Sequence, residues 1–321
     1  MFVAIMNDRN RGIASGLLAA TLYGLALRVL VLFHEESADS VIAVMSLAFV
    51  VVVPLVVGYL TVRLHPSPHW LYSLFMPWVP MLLGTAIVVL TGWEGSICIA
   101  MGLPIMLACA SMGGMVGALV RPRSPAPVAL FVALPFLVGG VERGIPEPVR
   151  VREVESVIDI HATSGRIWSE IVQVPAIAPA ELPDALYLRM GFPRPVSATI
   201  DHMGVGGVRR ATFTGGLVFH ETVTDFEPPR RLSFRIAAQT DSIPPTTLDR
   251  HVTIGGPYFD VLQGTYVIEP LPSGDVRLHL TSRLRVSTHF NAYAGPWADA
   301  VMRSIQETIL VVEKRRAEGG A

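Results

Sequence analysis

The sequence predicts two structural classes in one chain: a polytopic bundle of apolar α-helices, then an α+β domain in which an antiparallel sheet wraps a long C-terminal helix. Three observations predict this. Near-continuous apolar runs of membrane-spanning length fill the first 140 or so of the 321 residues. Charge density rises sharply near residue 149, with seven Arg and seven acidic residues before it and 18 basic and 19 acidic residues after it. From Val154 the apolar pattern changes to a period of two, and from Asn291 to a helical period. The implied domains are 1–148, a transmembrane region, and 149–321, a soluble domain.

A helix needs about 20 mostly apolar residues to cross the hydrocarbon core. Residues 13–33, 41–64, 70–90 and 97–120 meet this requirement. The stretch 127–141 is shorter and contains Pro135, so it is the marginal fifth helix. Arg9 and Arg11 precede the first span, Arg63 ends the second, and Arg121 and Arg123 follow the fourth. The acidic residues Glu35, Glu36, Asp39 and Glu94 mark the other ends. The positive-inside rule then puts the N-terminus in the cytoplasm of a bacterial-type cytoplasmic membrane. With five spans the soluble domain lies outside the cytoplasm; if 127–141 does not span, it lies inside. The first span is too long for a signal-peptide core and no small-residue cleavage site follows it, so it is read as retained.

Small residues recur every four positions at Gly12, Gly16, Ala20 and Gly24, and again at Gly113 and Gly117. Such rows let helices approach closely within a bundle or across a homo-oligomer seam. Arg28, near the outer end of its span, is expected to snorkel toward Glu35 and Glu36. His65 and His69 flank Pro66 and Pro68, which spoil the helix that an i, i+4 metal pair would need. Cys98 and Cys109 have no ligand or disulfide spacing.

In the second half, a strand through Val154, Ile158 and Ile160 leads to a short helix over 163–174, capped by Thr163 or Ser164. The proline-rich stretch 175–195 reads as loop and broken helix. Strands are predicted over 196–202, 207–213, 217–226, 231–239, 246–254, 264–270 and 275–288, punctuated by Gly215–Gly216, Pro228–Pro229 and Pro272–Ser273–Gly274. A helix from Asn291, its predicted N-cap, to Ala317 carries an apolar stripe of Ala294, Trp297, Val301, Ile305, Ile309 and Val312. A stripe of that length must lie on the covered face of the sheet.

Strand, short helix, antiparallel strands and long terminal helix describe a helix-grip fold. The segments VESVIDIHATSGRIWSEIVQV, HETVTDFEPPRRLSF and LQGTYVIEPLPSGDVRLHL, leading into the last helix, make 154–318 resemble the START-like (SRPBCC) superfamily of polyketide cyclase–dehydrase and lipid-transport proteins. Trp168 matches the aromatic common in that family's first helix. Thr163–Ser164 stands where the family often has proline, a departure that touches the start of the helix. The resemblance implies a cavity between sheet and helix for a hydrophobic small molecule or lipid. Strand parity and the helix stripe offer Trp168, Phe219, Phe234, Tyr266 and Trp297 as lining.

Glu221 shares the inward parity of Leu217, Phe219 and Val223. A buried carboxylate needs a partner or a raised pKa, and Arg209 or Arg210 on the preceding strand is that partner. The pair is a structural ion pair, a head-group anchor, or an acid–base site for cyclisation or dehydration. His251 has the opposite parity and is expected to face out or sit near the cavity mouth with Tyr258 and Phe259. There is no H-E-x-x-H and no G-x-S-x-G. Gly204-Val205-Gly206-Gly207 precedes a strand and lacks the dinucleotide pattern. No cofactor or metal is called for, and a net charge of −1 gives no basic surface for nucleic acid. The sequence thus predicts a membrane-anchored binding protein for a lipid or other hydrophobic molecule. The alternatives are a cyclase/dehydrase-like enzyme working through Glu221, and a non-catalytic interaction or sensory module.

Overall fold

The computed structural model describes residues 2–34, 43–65, 67, 69–120, 126–239 and 254–319, with side chains from residue 12 and, in the sixth helix, from residue 128. The loop charges Glu35, Glu36, Asp39, Arg121 and Arg123, the prolines Pro66 and Pro68, and His251 with nearly all of the expected strand 246–254 lie outside the described residues. The chain divides into two compact units, Met1–Glu147 and Pro148–Ala321.

Among the described residues the regular elements of the first unit are helices: α1 (Phe2–His34), a π-helical turn (Ala48–Val52) running into α2 (Val53–Leu64), α3 (Trp70–Phe75), α4 (Trp78–Leu90), α5 (Ser96–Leu119) and α6 (Ala126–Glu142). Three stretches are long and apolar enough to cross a membrane, namely Gly12–Phe33, Trp70–Leu90 and Ser96–Leu119. Ala48–Leu64 and Val128–Glu142 are shorter apolar helices. The expected span 70–90 is one of the three, with a turn at Met76–Pro77 separating α3 from α4. Pro54 lacks an N–H and crowds the preceding turn, and the wide turn before it absorbs that crowding.

Backbone approach holds this unit together. A Cβ at Gly58 would lie 1.9 Å from the Ala110 carbonyl oxygen, and one at Gly113 would lie 1.8 Å from that of Leu55. The two helices therefore touch along their backbones, the packing mode that small residues permit in lipid. The Gly12, Gly16 and Gly24 row of α1 faces His65, Leu64 and Val57 of the α2 segment. Arg28, whose expected partners Glu35 and Glu36 lie outside the described residues, is buried, pairs with Glu94 at 2.8 Å and donates to the Trp93 carbonyl, because the α4–α5 turn lies beside the end of α1.

Helix α6 runs antiparallel to α2. The Glu142 carboxylate accepts from the backbone N–H groups of Leu47 (2.6 Å) and Ala48 (3.0 Å), capping donors that a helix start leaves unpaired. Phe131 stacks on Tyr59 at 4.2 Å, and the Tyr23 hydroxyl donates to the Val132 carbonyl. The start of the π-helical turn that leads into α2 and the end of α6 thus share one end of the bundle.

The second unit contains β1 (Val149–Ile160), α7 (Ser164–Val172), α8 (Leu186–Arg189), β2 (Pro195–Ile200), β3 (Val208–Phe213), β4 (Val218–Glu227), β5 (Arg231–Gln239), β6 (Phe259–Pro270), β7 (Val276–Ser287) and α9 (Asn291–Ala317). Among the described residues the strands form one antiparallel sheet in the order β1-β7-β6-β5-β4-β3-β2. Register shifts at Val223/Asp225 and Val261/Gln263 bend β4 and β6. Thr163 caps α7 by accepting from the Arg166 N–H. Asn291 works differently from the expected N-cap. Its Oδ1 accepts from the N–H and hydroxyl of Thr288, and its Nδ2 donates to the Pro148 carbonyl, which fixes the turn from β7 into α9.

Apolar clusters lie between the sheet and the helices that pack on it. One joins Ile167 and Ile171 of α7 to Leu232, Ile268, Leu278 and Leu310; another joins Val154, Leu284 and Val286 to Ala294, Ala298 and Met302 of α9. Gln306 lies on the buried side of α9 with every polar atom used. It donates to the Val154 carbonyl and to Ser282 Oγ, and accepts from Ser156 Oγ, each at 2.9 Å.

The close approach of α2 and α5 is testable. Gly58→Ala and Gly113→Ala are each expected to destabilise the detergent-solubilised protein by about 1–3 kcal/mol or more, because backbone must move. Gly84→Ala, with open space around it, is expected to be neutral or slightly stabilising. Thermal unfolding followed by size-exclusion chromatography checks both, and equal behaviour of the three variants would refute the tight seam.

Candidate functional site

The site begins as a cross-strand pair. Arg209 of β3 lies directly opposite Glu221 of β4. Both point inward and are buried, at 5% and 6% exposure. Arg209 Nη1 donates to Glu221 Oε2. Arg210, the other possible partner, has the opposite parity and is exposed. The Arg209 guanidinium also sits over the Phe234 ring of β5, 5.6 Å from its centroid, a cation–π distance. Phe234 can lie there because Gly264 faces it across the β5–β6 pairing; a Cβ at that glycine would come within 2.5 Å of the ring.

The terminal helix completes the cluster. Phe234 tilts against Tyr266 of β6, with ring centroids 6.2 Å apart. The Tyr266 hydroxyl donates to Glu313 Oε1 of α9 at 3.0 Å. Glu313 is 2% exposed. A continuous set of contacts therefore runs from Glu221 through Arg209, Phe234 and Tyr266 to Glu313, from the sheet into the gripped helix. Two of its buried atoms, Arg209 Nε and Glu313 Oε2, have no hydrogen-bond partner among the described residues.

Burial pushes the Glu313 carboxyl up to about 8, against the opposing influence of the Tyr266 hydrogen bond and the Arg209 charge. Burial also pushes Glu221 up, with Arg209 pulling the other way. For Arg209 burial works to lower the pKa, but Glu221 and the neighbouring Tyr266 and Glu313 outweigh it and hold the guanidinium charged. Tyr266 is raised well above the ordinary phenol value, first by burial and then by Glu313.

Of the lining proposed from sequence, Phe234 and Tyr266 join Glu221 in this cluster. Trp168 is half-buried and packs edge-on against Phe226 at 5.2 Å, on the α7 side. Phe219 packs edge-on against Phe213 at 5.1 Å, beside Val174, Ala198 and Ala211. Trp297 is half-buried, and Ala294 and Ala298 carry its part of α9 into the core. Phe259 packs against the same core. Glu313 was not legible as a site residue. It adjoins Val312 of the apolar stripe and follows Ile309 by four residues, a spacing that would have placed it on the buried face.

A separate open cleft of about 630 Å³ lies beside the proline-rich segment, among Pro179, Pro183, Leu188, Phe192, Arg194 and Thr214.

Among the described residues, a seven-stranded antiparallel sheet packed on a C-terminal helix, with a short helix after the first strand, makes a helix-grip fold. Here it follows a helical unit whose apolar helices fit a membrane protein. No protein-family model matches the sequence, and no curated protein matches it. Among solved structures the chain is similar to the Aha1 dimer from Colwellia psychrerythraea (14% identity, 53% of this chain and 98% of that chain, TM-score 0.31). It is similar also to a START superfamily protein from Mycobacterium smegmatis (13%, 52% and 97%, TM-score 0.34) and to a protein from Rhodobacter sphaeroides (20%, 52% and 96%, TM-score 0.32).

The buried Glu313 makes stability depend on pH in a defined direction. Its folded pKa lies above that of an unfolded Glu, so between about 4.5 and about 8 the native state holds a proton that the unfolded state has lost. Stability is expected to fall as pH rises through that window, and Glu313→Gln is expected to flatten the slope. Urea unfolding of the full chain at pH 5, 6.5 and 8 checks this; an unchanged slope in the variant would assign the effect elsewhere.

Proposed function

We propose that the second unit binds an apolar small molecule or lipid between its sheet and α9, and that the helical unit anchors it to a bilayer. The observation that carries this reading is the polar cluster with unsatisfied atoms inside an otherwise apolar interior. A buried polar atom without a partner costs about 1–3 kcal/mol. Arg209 Nε and Glu313 Oε2 both carry that cost on facing elements. A ligand with an apolar body and one polar group relieves it, and such sites are mostly apolar with a few convergent polar groups. The aromatic rings of Phe234 and Tyr266 supply the apolar surface beside them.

A cyclase-like reading is favoured by a different residue from the one expected. Glu221 is engaged by Arg209, whereas Glu313, with a pKa near neutrality, has the character of a general acid or base. In an enzyme of that type Glu313 is the working carboxyl and Tyr266 its partner.

The anchor carries its own orientation. In our reading α6 crosses the bilayer, because its end caps the start of the π-helical turn that runs into α2 while the far end of α2 carries Arg63. The arginine-bearing end is cytoplasmic by the positive-inside rule. The chain then leaves the helical unit on the opposite, extracytoplasmic side.

Two measurements test these proposals. Solvent extraction and mass spectrometry of the purified full chain are expected to release an apolar compound at about one per chain; a ligand-free protein that also fails to take up a fluorescent fatty acid would end the binding reading. Alkaline phosphatase fused after Ala321 is expected to be active in bacteria and a fluorescent protein at the same place dark. The reverse pattern would put the domain in the cytoplasm.

A further inference from the structure

The open cleft beside the proline-rich segment stands apart from the interior. None of its lining residues belongs to the buried ionic cluster or to the apolar clusters between sheet and helices. Its volume of about 630 Å³ is that of a small-molecule site. Its walls are fixed at several points. The segment that enters it pairs with the edge strand β2, through Val174 with Ala198 and the Ile177 N–H with the Val196 carbonyl. The turn Pro179–Glu181 is tied to the end of α9, where Arg316 grips both oxygens of Glu181 and donates to the Pro175 and Ala176 carbonyls. Gly191, at φ +93°, ends α8, and the Phe192 N–H turns back to the Tyr187 carbonyl. On the far side, Arg194 and Thr214 pair through their backbones. A cleft held this way costs a ligand little ordering.

The lining has two characters. Pro179, Leu182, Pro183, Leu188 and Phe192 give it apolar walls. Its charged residues are Asp184 and Arg194. Asp184 is already balanced, because Arg189 engages both of its oxygens. The Arg194 guanidinium is exposed and has no hydrogen-bond or ion-pair partner among the described residues. Thr214 accepts from the Arg194 N–H through Oγ1, and its hydroxyl proton has no acceptor among the described residues. One unmatched positive charge and a neighbouring hydroxyl donor thus stand beside an apolar hollow. We propose that this cleft is a binding site for a small apolar molecule bearing one carboxylate, with Arg194 and Thr214 holding the anion. The planar guanidinium fork matches a carboxylate in shape, and one cation balances one anion. A phosphate would bring further negative charge that no other lining residue meets. The site is independent of the ligand reading for the space under α9.

The test uses 2-naphthoate and 2-naphthamide, which differ in charge and little in shape. Binding to the full chain in phosphatidylcholine nanodiscs is measured by equilibrium dialysis against empty nanodiscs at pH 7. The carboxylate is expected to bind about fivefold more tightly than the amide, the order of one exposed charge pair. That preference is expected to shrink when salt rises from about 0.05 M to about 0.5 M, as screening requires. Arg194→Gln removes a side chain that has no partner to lose, and is expected to bring naphthoate down to the level of naphthamide. Phe192→Ala is expected to weaken both probes and keep their ratio. Equal affinity of the native protein for the two probes, or a preference that survives in Arg194→Gln, would overturn the carboxylate site. Binding of both probes undiminished by Phe192→Ala would place them outside the cleft, which overturns this site and leaves the reading for the space under α9 intact. Failure of both to bind would likewise overturn the cleft site.

Discussion

Charge taken out of water must be matched by other charge or by a proton, and the second unit is arranged around that constraint. An ionised side chain moved into a protein interior loses several kcal/mol of hydration even after relaxation. Arg209 and Glu221 meet this by standing opposite each other on neighbouring strands, where antiparallel pairing places their side chains together. The arrangement fixes strand register as well as charge. A slip of one residue would turn Arg209 outward and bring Arg210 in. Phe234 closes over the guanidinium, and the glycine facing Phe234 gives the ring its room. Local sequence, register and electrostatics therefore agree at one point, and the helix that covers it contributes the remaining carboxyl.

The first unit meets an analogous constraint with different means. Among apolar helices there is little hydrophobic gain in association, so contact comes from close backbone approach and a few polar ties. Gly58 and Gly113 provide the approach. Arg28 with Glu94, and Glu142 with the start of the second helical segment, provide ties at the ends where charge is tolerable. Both acidic partners sit in stretches that hydropathy alone would treat as loop or helix end.

Much of this architecture was readable in the chain because periodicity survives without tertiary knowledge. The alternation in β7 and the length of α9 follow from pattern alone, and β5 spans the residues its pattern indicates. Glu221 was recognisable as inward-facing by parity with Val223, and one of two adjacent arginines had to meet it. What pattern could not supply was the identity of polar residues buried on a helix. A helical stripe drawn through apolar residues passes beside Gln306 and Glu313, whose burial depends on partners in β1, β6 and β7. Trp297 of the same stripe is half covered, while Ala294 and Ala298 beside it are buried. Strand starts were misjudged for a similar reason. β6 begins at Phe259 rather than Gly264, since pairing with β7 extends it through a bulge that breaks the alternation.

Gln306 has a mechanical consequence. Its amide grips two strands at once, so α9 cannot slide along the sheet; a shift of one helical turn, about 5.4 Å, would strand that amide and both serines it engages. The helix is riveted near its middle. Any displacement of α9 relative to the sheet must therefore pivot about that rivet rather than slide past it.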